Sequence, residues 1–149
     1  MTISTGDPRL FVDTWGWLAL ADAGEALHAK VVEERRRRTA PGMLITTDYV
    51  LDETLTRLFS RADFAKASAF SQAIFASASA GLLLIERIDP ARFEAAYRMR
   101  LRYRDKDRIS FTDFTSFVVM KDLGVRDVLT ADEHFVQVQL GFRRVPAAG

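Results

Sequence analysis

Short apolar runs alternate with longer amphipathic stretches along this chain. Five of the runs have the length and composition of buried strands, and they cover residues 10–12, 43–45, 82–88, 125–130 and, more weakly, 142–145. Strands of a parallel sheet are buried on both faces and are joined by helices. The alternation therefore predicts an α/β fold with a central parallel sheet and helices on both of its faces.

The stretches between these runs carry helix signals. We predict helices over residues 22–38 and 63–80, one capped by Thr46 or Thr47, one opened by Asp89-Pro90, and one from Thr112 or Asp113 to Leu123-Gly124. In the fourth of these, Phe93, Tyr97 and Leu101 recur at four-residue spacing. This spacing is typical of an amphipathic helix with an apolar inner side and, here, a basic exposed side.

The composition limits the classes of function. The 149 residues fit one domain over residues 1–149, with a core over about 10–145 and a tail at 146–149. A net charge of +1 gives no global attraction to nucleic acid, so any attraction must come from local patches. The absence of cysteine excludes disulfides, thiolate metal sites and cysteine nucleophiles. With no signal peptide and no membrane-spanning run, we expect a cytoplasmic protein.

Acidic residues stand where predicted strands end and helices begin. Asp13 and Asp132 closely follow predicted strands, so both should lie at the carboxyl edge of the sheet, where ligands of such folds bind. Acids gathered at one edge cannot all stay ionised without cations between them. One or two divalent metals with oxygen ligands would resolve this conflict, and such metals support phosphodiester chemistry. The alternative is that each acid only caps a helix.

Two of the acids are placed by helix geometry. At 100° per residue, Phe117 and Met120 lie within about 40° of Asp113. Asp113 should therefore be semi-buried at the rim of the core, where it needs a cation or an arginine as partner. On the wheel set by the leucines of the helix after Thr47, Asp52 falls at the edge of the apolar face and Glu53 lies further round. Periodicity thus mildly favours Asp52 and leaves the choice open.

Four motifs occur in a fixed order: FVDT, TTDYVLDETLTRL, SFTDFTSFVVM and LTADEHF. From about residue 10 to residue 145 the chain resembles the PIN domain family, specifically the toxin ribonucleases of bacterial toxin–antitoxin systems. The most specific part is SFTDFTSFVVM followed by LTADEHF after one helix and one strand. In TTDYVLDETLTRL, the acid of the family falls on Glu53 rather than Asp52.

The resemblance implies a three-layer α/β/α sandwich and RNA cleavage that depends on Mg²⁺ or Mn²⁺. It makes the catalytic, metal-binding acids Asp13, Glu53, Asp113 and Asp132. The position matching Asp132 is the most variable in the family and can act through water. Thr112 and Thr130 match positions whose hydroxyl groups support the acids. His134 receives no role, because the family uses no histidine ligand. The implied partners are RNA and a small antitoxin protein, and a homodimer stays open.

Basic residues form two stretches. Residues 35–38 are four arginines that end a predicted helix, either as a solvated terminus favoured by the helix dipole or as a phosphate-binding patch beside the cleft. The segment leading into the third motif carries Arg104, Lys106 and Arg108, which are candidate RNA contacts or a solvated face. Asp107, in the same segment, either adds to the acidic pocket or is a solvated loop acid.

The leading hypothesis is a metal-dependent endoribonuclease of PIN type, the toxin of a toxin–antitoxin pair. One alternative is a PIN-like protein that binds RNA or a partner without cleaving. A second is a Mg²⁺-dependent phosphatase with an aspartyl nucleophile. That chemistry usually needs another acid two residues after the first, and here Trp15 stands at that position.

Overall fold

A five-stranded parallel sheet forms the centre of the molecule. The computed structural model describes residues 7–146, so all but Pro146 of the predicted tail lies outside the described residues. The strands are β1 (Leu10–Val12), β2 (Leu44–Thr47), β3 (Leu83–Glu86), β4 (Asp127–Leu129) and β5 (Arg143–Val145). Their order is β3-β2-β1-β4-β5, and every neighbouring pair is parallel. The predicted central parallel sheet is confirmed.

Helices cover both faces of this sheet. They are α1 (Thr14–Ala21), α2 (His28–Arg36), α3 (Asp48–Arg61), α4 (Phe64–Ser79), α5 (Pro90–Arg102), α6 (Phe111–Leu123) and α7 (His134–Gln137). Right-handed crossovers place α1–α4 on one face and α5–α7 on the other. Most helix contacts follow this division, because α1 contacts α2 and α3, whereas α6 contacts α5 and α7; α3 and α6 also contact each other. The fold is the expected α/β/α sandwich. Within residues 7–146, no helix combines the length and apolar character needed to cross a membrane.

The order of the strands reverses between β1 and β4. Chain connections from β1 lead outward through β2 to β3, whereas β4 and β5 extend the sheet on the other side of β1. In open α/β sheets, the carboxyl ends of the strands at such a reversal form the binding crevice. Asp13 directly follows β1 and Thr130 directly follows β4, so both residues lie at this point.

The helix predicted over residues 22–38 is wrong in its first part. α1 ends at Ala21, and α2 begins only at His28. Between them the Asp22 carboxylate accepts a hydrogen bond from the backbone N–H of Gly24 at 2.9 Å. This local bond competes with helix formation and fixes a turn instead. Ala26 in this turn is exposed, whereas Val31 of α2 is buried.

The apolar stripe predicted to face inward on α5 faces solvent. Phe93, Tyr97 and Leu101 are 45%, 54% and 56% exposed. The buried positions of this helix are Ala96 and Met99. α5 packs closely against α6, and the small Ala96 side chain leaves room for that approach. The four-residue spacing correctly indicated an apolar stripe on α5, but the prediction that this stripe faces the core was wrong.

α4 also leaves large apolar side chains exposed. Its Phe64 and Phe75 are 76% and 46% exposed. The buried face of α4 is formed by Ala67, Ser71 and Ile74. Phe64 instead packs its ring at 5.6 Å from that of Phe59 on the neighbouring helix α3, outside the main core.

Side-chain caps set the starts of two helices that carry acids. The Thr47 hydroxyl accepts a hydrogen bond from the backbone N–H of Val50 at 3.0 Å, as predicted for the start of α3. For α6, the cap is the Ser110 hydroxyl, which accepts from the N–H of Asp113 at 3.0 Å. α6 therefore begins at Phe111, before the predicted Thr112 or Asp113, and Asp113 lies in its first turn.

Candidate active site

Asp13 is the most buried acid at the carboxyl edge of the sheet. Its side chain occupies the end of β1 at the start of α1 and is only 6% exposed. Burial, followed by the negative charge of Asp113, raises the pKa of Asp13 to about 7, and the charge of Asp132 adds to this shift. Hydrogen bonds from the Thr130 hydroxyl and the backbone N–H of Thr14 act in the opposite direction. Asp13 therefore shares one pocket with two other acids.

Thr130 joins the ends of β1 and β4. Its hydroxyl donates a hydrogen bond to Asp13 Oδ2 at 2.9 Å and accepts one from the backbone N–H of Asp132 at 3.0 Å. Thr130 is 1% exposed. A buried hydroxyl that uses both its donor and its acceptor capacity fixes both partners. Thr130 therefore links the Asp13 carboxylate to the backbone of Asp132.

Asp113 reaches the same edge from the first turn of α6. The residue is 7% exposed, which matches the expected semi-buried position at the rim of the core. Burial raises its pKa, and the charge of Asp132 acts in the same direction. A contact with His134 lowers the pKa, as does hydrogen bonding by the backbone N–H of Ser110. The partner of Asp113 is thus a histidine rather than the arginine that was considered.

Asp132 and His134 complete the edge beyond β4. The Asp132 carboxylate accepts a hydrogen bond from the backbone N–H of His134 at 2.9 Å. The His134 Nδ1 atom lies 3.1 Å from Asp113 Oδ2 and 3.1 Å from Asp132 Oδ1. One imidazole nitrogen therefore stands between two carboxylates. This backbone hydrogen bond is the one expected if Asp132 only caps a turn, but the carboxylate also faces the acidic pocket.

Aromatic packing holds the two acid-bearing segments together. Phe117 of α6 lies edge-on against Phe135 of α7, with ring centroids 4.9 Å apart, and both residues are fully buried. Phe117 also contacts Phe114 on its own helix and Phe142 just before β5. Because Phe135 is adjacent to His134, this contact fixes the distance between Asp113 and the imidazole.

Glu53 lies on α3 and does not belong to this closest group. Its side chain is 30% exposed and makes an ion pair with Arg57 at 3.0 Å, one helical turn away. Glu53 is nevertheless less exposed than Asp52. The reason is that the buried face of α3 is formed by Val50, Leu51, Thr54 and Leu58. At 100° per residue, Glu53 is nearer to this face than Asp52, so the preference of the wheel for Asp52 was wrong.

An open cleft of about 590 Å³ borders the acids. Its walls include Lys106, Asp107 and Arg108 from the loop before α6 on one side, and Asp132 and His134 on the other. Two of the candidate RNA contacts therefore line the same cleft as two site residues. Arg104 is exposed on the same loop but is not part of the cleft wall. Asp107 is exposed.

Thr112 and the four arginines at residues 35–38 occupy different places. Thr112 is part-buried beside Asp113, and its carbonyl accepts hydrogen bonds from Thr115 and Ser116.

Arg38 lies at the other edge of the sheet, where it contacts Asp127, the first residue of β4, at 3.4 Å. A phosphate-binding patch beside the cleft is therefore not formed by Arg38.

The donor set fits a hard divalent metal. Asp113, Asp132 and His134 each offer one ligand atom, and these three atoms all lie within 4.8 Å of one another. Within residues 7–146, these residues are the one cluster of three or more potential metal ligands. Burial, followed by the negative charges of Asp113 and Asp132, raises the pKa of the adjacent Asp13, and a bound cation would oppose these effects. Carboxylate oxygens that face each other in this way are the ligands that Mg²⁺ and Mn²⁺ prefer.

His134 is the site residue that the sequence interpretation missed. It was set aside because the resemblance offered no histidine ligand. The available signal was its position two residues after Asp132, within a turn that brings the side chain back toward the acid. A capped turn of this kind places residues i and i+2 side by side.

Comparison with known proteins identifies the family. No family model matches the chain. Over 126 residues it is 32% identical to VapC20 of Mycobacterium tuberculosis, a 23S rRNA-specific endonuclease, and this match covers 85% of the chain and 91% of that protein. The chain belongs to the VapC toxin ribonucleases of the PIN domain family. The resemblance seen in the four motifs is thereby confirmed.

Solved structures support the placement of this VapC-family protein. The crystal structure of Mycobacterium tuberculosis VapC20, a Sarcin-Ricin loop cleaving toxin, matches with a TM-score of 0.76 and 31% identity, covering 90% of this chain and 96% of that one. PAE2754 of Pyrobaculum aerophilum matches with a TM-score of 0.61 at 18% identity, covering 92% and 89% of the two chains, and shows the shared fold. The protein is therefore an endoribonuclease of the VapC type.

Proposed function

We propose that this VapC-family protein cleaves RNA with Mg²⁺ or Mn²⁺ held by Asp13, Asp113 and Asp132, and that Glu53 completes the acidic site from α3. The supporting observation is the shared pocket, in which the charges of Asp113 and Asp132 help to raise the pKa of Asp13 to about 7. A bound divalent ion supplies an activated water and neutralises charge on the scissile phosphate.

The residues around these acids hold them in place for this task. The Thr130 hydroxyl and the N–H of Thr14 orient the Asp13 carboxylate. The Ser110 cap fixes the first turn of α6 and with it Asp113. Thr112, beside Asp113, is proposed to support the acid through its hydroxyl. Acids held in this way can bind an ion without reorganising the pocket.

The cleft before α6 is the proposed path of the RNA backbone. Lys106 and Arg108 line it opposite Asp132, and the exposed Arg104 extends the same basic loop outward. Cations beside a metal site would hold the phosphates that flank the scissile bond. Asp107, which also lines the cleft, would repel phosphate and limit how the strand enters.

The relative VapC20 suggests the class of substrate. That protein is a 23S rRNA-specific endonuclease and a Sarcin-Ricin loop cleaving toxin. We propose that a structured loop of ribosomal RNA is also the substrate of this chain. Such a substrate would place the protein in the cytoplasm, as expected from the sequence.

A small antitoxin protein is the proposed regulatory partner. A cavity of about 850 Å³ between α1, α3 and α4 includes Trp15, Leu18, Arg57 and Phe70 in its lining. Its apolar floor and charged rim suit an amphipathic peptide segment. Co-purification with a co-expressed candidate antitoxin, lost in a Leu18→Glu variant that still folds, is the expected result. Unchanged co-purification would place the partner elsewhere.

The homodimer stays a prediction. The exposed stripe of Phe93, Tyr97 and Leu101 on α5 is an apolar surface open to contact with a second copy. Light scattering should give the mass of a dimer for the wild type and of a monomer for a Tyr97→Lys variant. A monomeric wild type would contradict the prediction.

The proposed site is tested by removing single charges. Asp13→Asn and Asp113→Asn should each lower metal-dependent cleavage of a ribosomal-loop oligonucleotide by about 100-fold or more. Expression of the wild-type chain should arrest growth, and these variants should not. Asp122→Asn is the matched control, because Asp122 lies on the same helix as Asp113 but is 52% exposed at its far end. Circular dichroism verifies that each variant folds.

Several outcomes would contradict this function. Undiminished cleavage by folded Asp13→Asn protein would exclude a catalytic role for the pocket. RNA binding without cleavage by the wild type in Mg²⁺ and Mn²⁺ would favour the non-cleaving alternative. Hydrolysis of a small aryl phosphate in place of RNA would favour the phosphatase.

The choice between the two acids on α3 has its own test. Glu53→Gln should lower the cleavage rate about tenfold or more, whereas Asp52→Asn should leave it within about twofold. The two residues are neighbours on one helix and differ in exposure, so they form a matched pair. Equal effects, or a larger loss for Asp52→Asn, would show that Glu53 does not complete the site.

A further inference from the structure

One ring nitrogen of His134 contacts two carboxylates, whereas a single hydrogen bond would need only one. Its Nδ1 atom is equidistant, at 3.1 Å, from one oxygen of Asp113 and one oxygen of Asp132. Of the two, the contact with Asp113 has hydrogen-bond geometry. The turn that binds the backbone N–H of His134 to Asp132 Oδ1 brings the second carboxylate to the same ring nitrogen, so one nitrogen and two carboxylate oxygens converge.

The distances match the ligand shell of a small divalent ion. Two adjacent ligands of an octahedral ion with bonds of about 2.1 Å lie about 3.0 Å apart, and opposite ligands lie about 4.2 Å apart. The two contacts of 3.1 Å fit adjacent ligands. All three ligand atoms lie within 4.8 Å of one another, which allows the two oxygens to be adjacent or opposite.

The segment that carries His134 is held in this position. Its backbone N–H donates to Asp132 Oδ1 at 2.9 Å, and the neighbouring Phe135 is fully buried against Phe117. The side chain is 23% exposed and lines the cleft, so an ion can reach it from solvent. A ligand with a fixed backbone and an open side suits a metal site with exchangeable positions.

We propose that His134 coordinates the divalent metal through Nδ1, together with Asp113 and Asp132, and that this nitrogen makes the site prefer Mn²⁺ over Mg²⁺. The inference rests on the proposed function and deepens it. Mg²⁺ binds oxygen ligands almost exclusively, whereas Mn²⁺ accepts an imidazole nitrogen more readily, so a histidine ligand shifts the relative affinity toward Mn²⁺. Nδ1 cannot donate a hydrogen bond and bind an ion at once, so ligation and hydrogen bonding are exclusive.

The composition of the chain makes a decisive test available. The protein contains two histidines, His28 and His134. The Nδ1 of His28 contacts the carbonyl oxygen of Ala19 at 2.7 Å, outside the acidic pocket. Electron spin echo spectroscopy of Mn²⁺-loaded wild-type protein should show ¹⁴N modulation from a coordinated imidazole, and ¹⁵N-histidine labelling should replace it with the ¹⁵N pattern.

Variants assign the signal and measure its effect. The modulation should persist in His28→Gln and vanish in His134→Gln. Calorimetry should show the Kd for Mn²⁺ rising about tenfold in His134→Gln, and the Kd for Mg²⁺ changing less than about threefold. Labelling of the wild type keeps the test valid if the His134 variant fails to fold.

Three other results would overturn this inference, and the last of them would also remove the proposed metal site. Mn²⁺ that binds with Asp113-dependent affinity but shows no nitrogen modulation would overturn the role of His134 and leave the nuclease proposal standing. Modulation lost in His28→Gln would also overturn it. Mn²⁺ affinity unaffected by Asp113→Asn would remove both this inference and the proposed metal site.

Discussion

Asp13 is the residue at which burial and charge act together. Its carboxyl group is almost fully withdrawn from water, and two further acids face it. The hydroxyl of Thr130 compensates only part of this cost, so the pKa stands at about 7 against an ordinary value of 3.8. In the absence of metal, the folded protein therefore holds a proton on Asp13 at a pH where the unfolded chain has lost it.

The stability of the metal-free protein should fall as the pH rises. The contribution of Asp13 is fully present below about pH 4 and is lost as the pH rises through about 7, because the folded-state pKa is raised. Between pH 5.5 and pH 8 in EDTA, the wild type should lose about 2 kcal/mol more free energy of unfolding than Asp13→Asn. Urea denaturation at both pH values measures the difference. Parallel curves for the two proteins would show that Asp13 is ionised throughout.

Residue-scale prediction from the sequence worked where a helix face carried the information. The proximity of Phe117 and Met120 correctly indicated that Asp113 is semi-buried. The same reasoning failed for Asp52 and Glu53, because the inner face of α3 includes Val50 and Thr54 rather than only leucines. A threonine can be buried when its hydroxyl bonds to the preceding turn, as Thr54 does with the Val50 carbonyl at 2.7 Å.

At the scale of elements, α1 and β4 approach each other unusually closely beside the site. A Cβ atom placed on Gly16 would lie 2.5 Å from the carbonyl oxygen of Leu129 and 3.0 Å from its side chain. Gly16 is three residues after Asp13, and Leu129 directly precedes Thr130. The contact therefore sets the spacing between the two segments that the hydrogen bond from Thr130 to Asp13 connects.

Gly16→Ala should reduce both stability and activity. Alanine favours a helix by about 1 kcal/mol over glycine, but the clash with backbone outweighs this gain, so we expect a net loss of about 1–2 kcal/mol. Cleavage should fall as well, because the hydrogen bond between Thr130 and Asp13 is stretched. Gly24→Ala is the control, since its new Cβ would meet only the exposed Asp22 side chain. Thermal unfolding and cleavage rates measure both effects; a stabilised Gly16→Ala protein would disprove the close contact.

Strands were easier to predict than the faces of helices. The apolar runs located all five strands to within a few residues. For β1, β2 and β4 the reason is that central parallel strands are buried on both sides. The inner face of α5 was predicted wrongly, because the small Ala96 forms the contact and the aromatic residues remain outside; Ala67 has the same place on α4. Hydrophobic periodicity assigns large apolar residues to the core, and tertiary packing overrides that preference here.

Across the whole molecule, the two edges of the sheet have different tasks. The carboxyl edge gathers acids whose repulsion costs stability, and the amino edge gathers ion pairs. There Asp127, which is 5% exposed, accepts two hydrogen bonds of 2.9 Å from Arg143 and contacts Arg38 at 3.4 Å. The strand order that separates these edges could not be predicted from the sequence, because each strand signal is local and carries no information on its neighbours.

The amino edge should therefore be removable without loss of chemistry. Asp127→Ala leaves the Arg38 side chain, which is only 9% exposed, with Glu34 as its remaining carboxylate partner, and should cost about 3 kcal/mol. Arg143→Ala should cost about 1 kcal/mol or less, because the Arg143 side chain is 70% exposed. β1 is three residues long, which separates Asp127 from the acids by about 10 Å. Well below its melting temperature, the Asp127→Ala protein should keep the wild-type cleavage rate within about threefold, measured on the same oligonucleotide. A loss as large as that of Asp13→Asn in a folded Asp127→Ala protein would mean that the two edges are coupled and that the ion pairs help to shape the site.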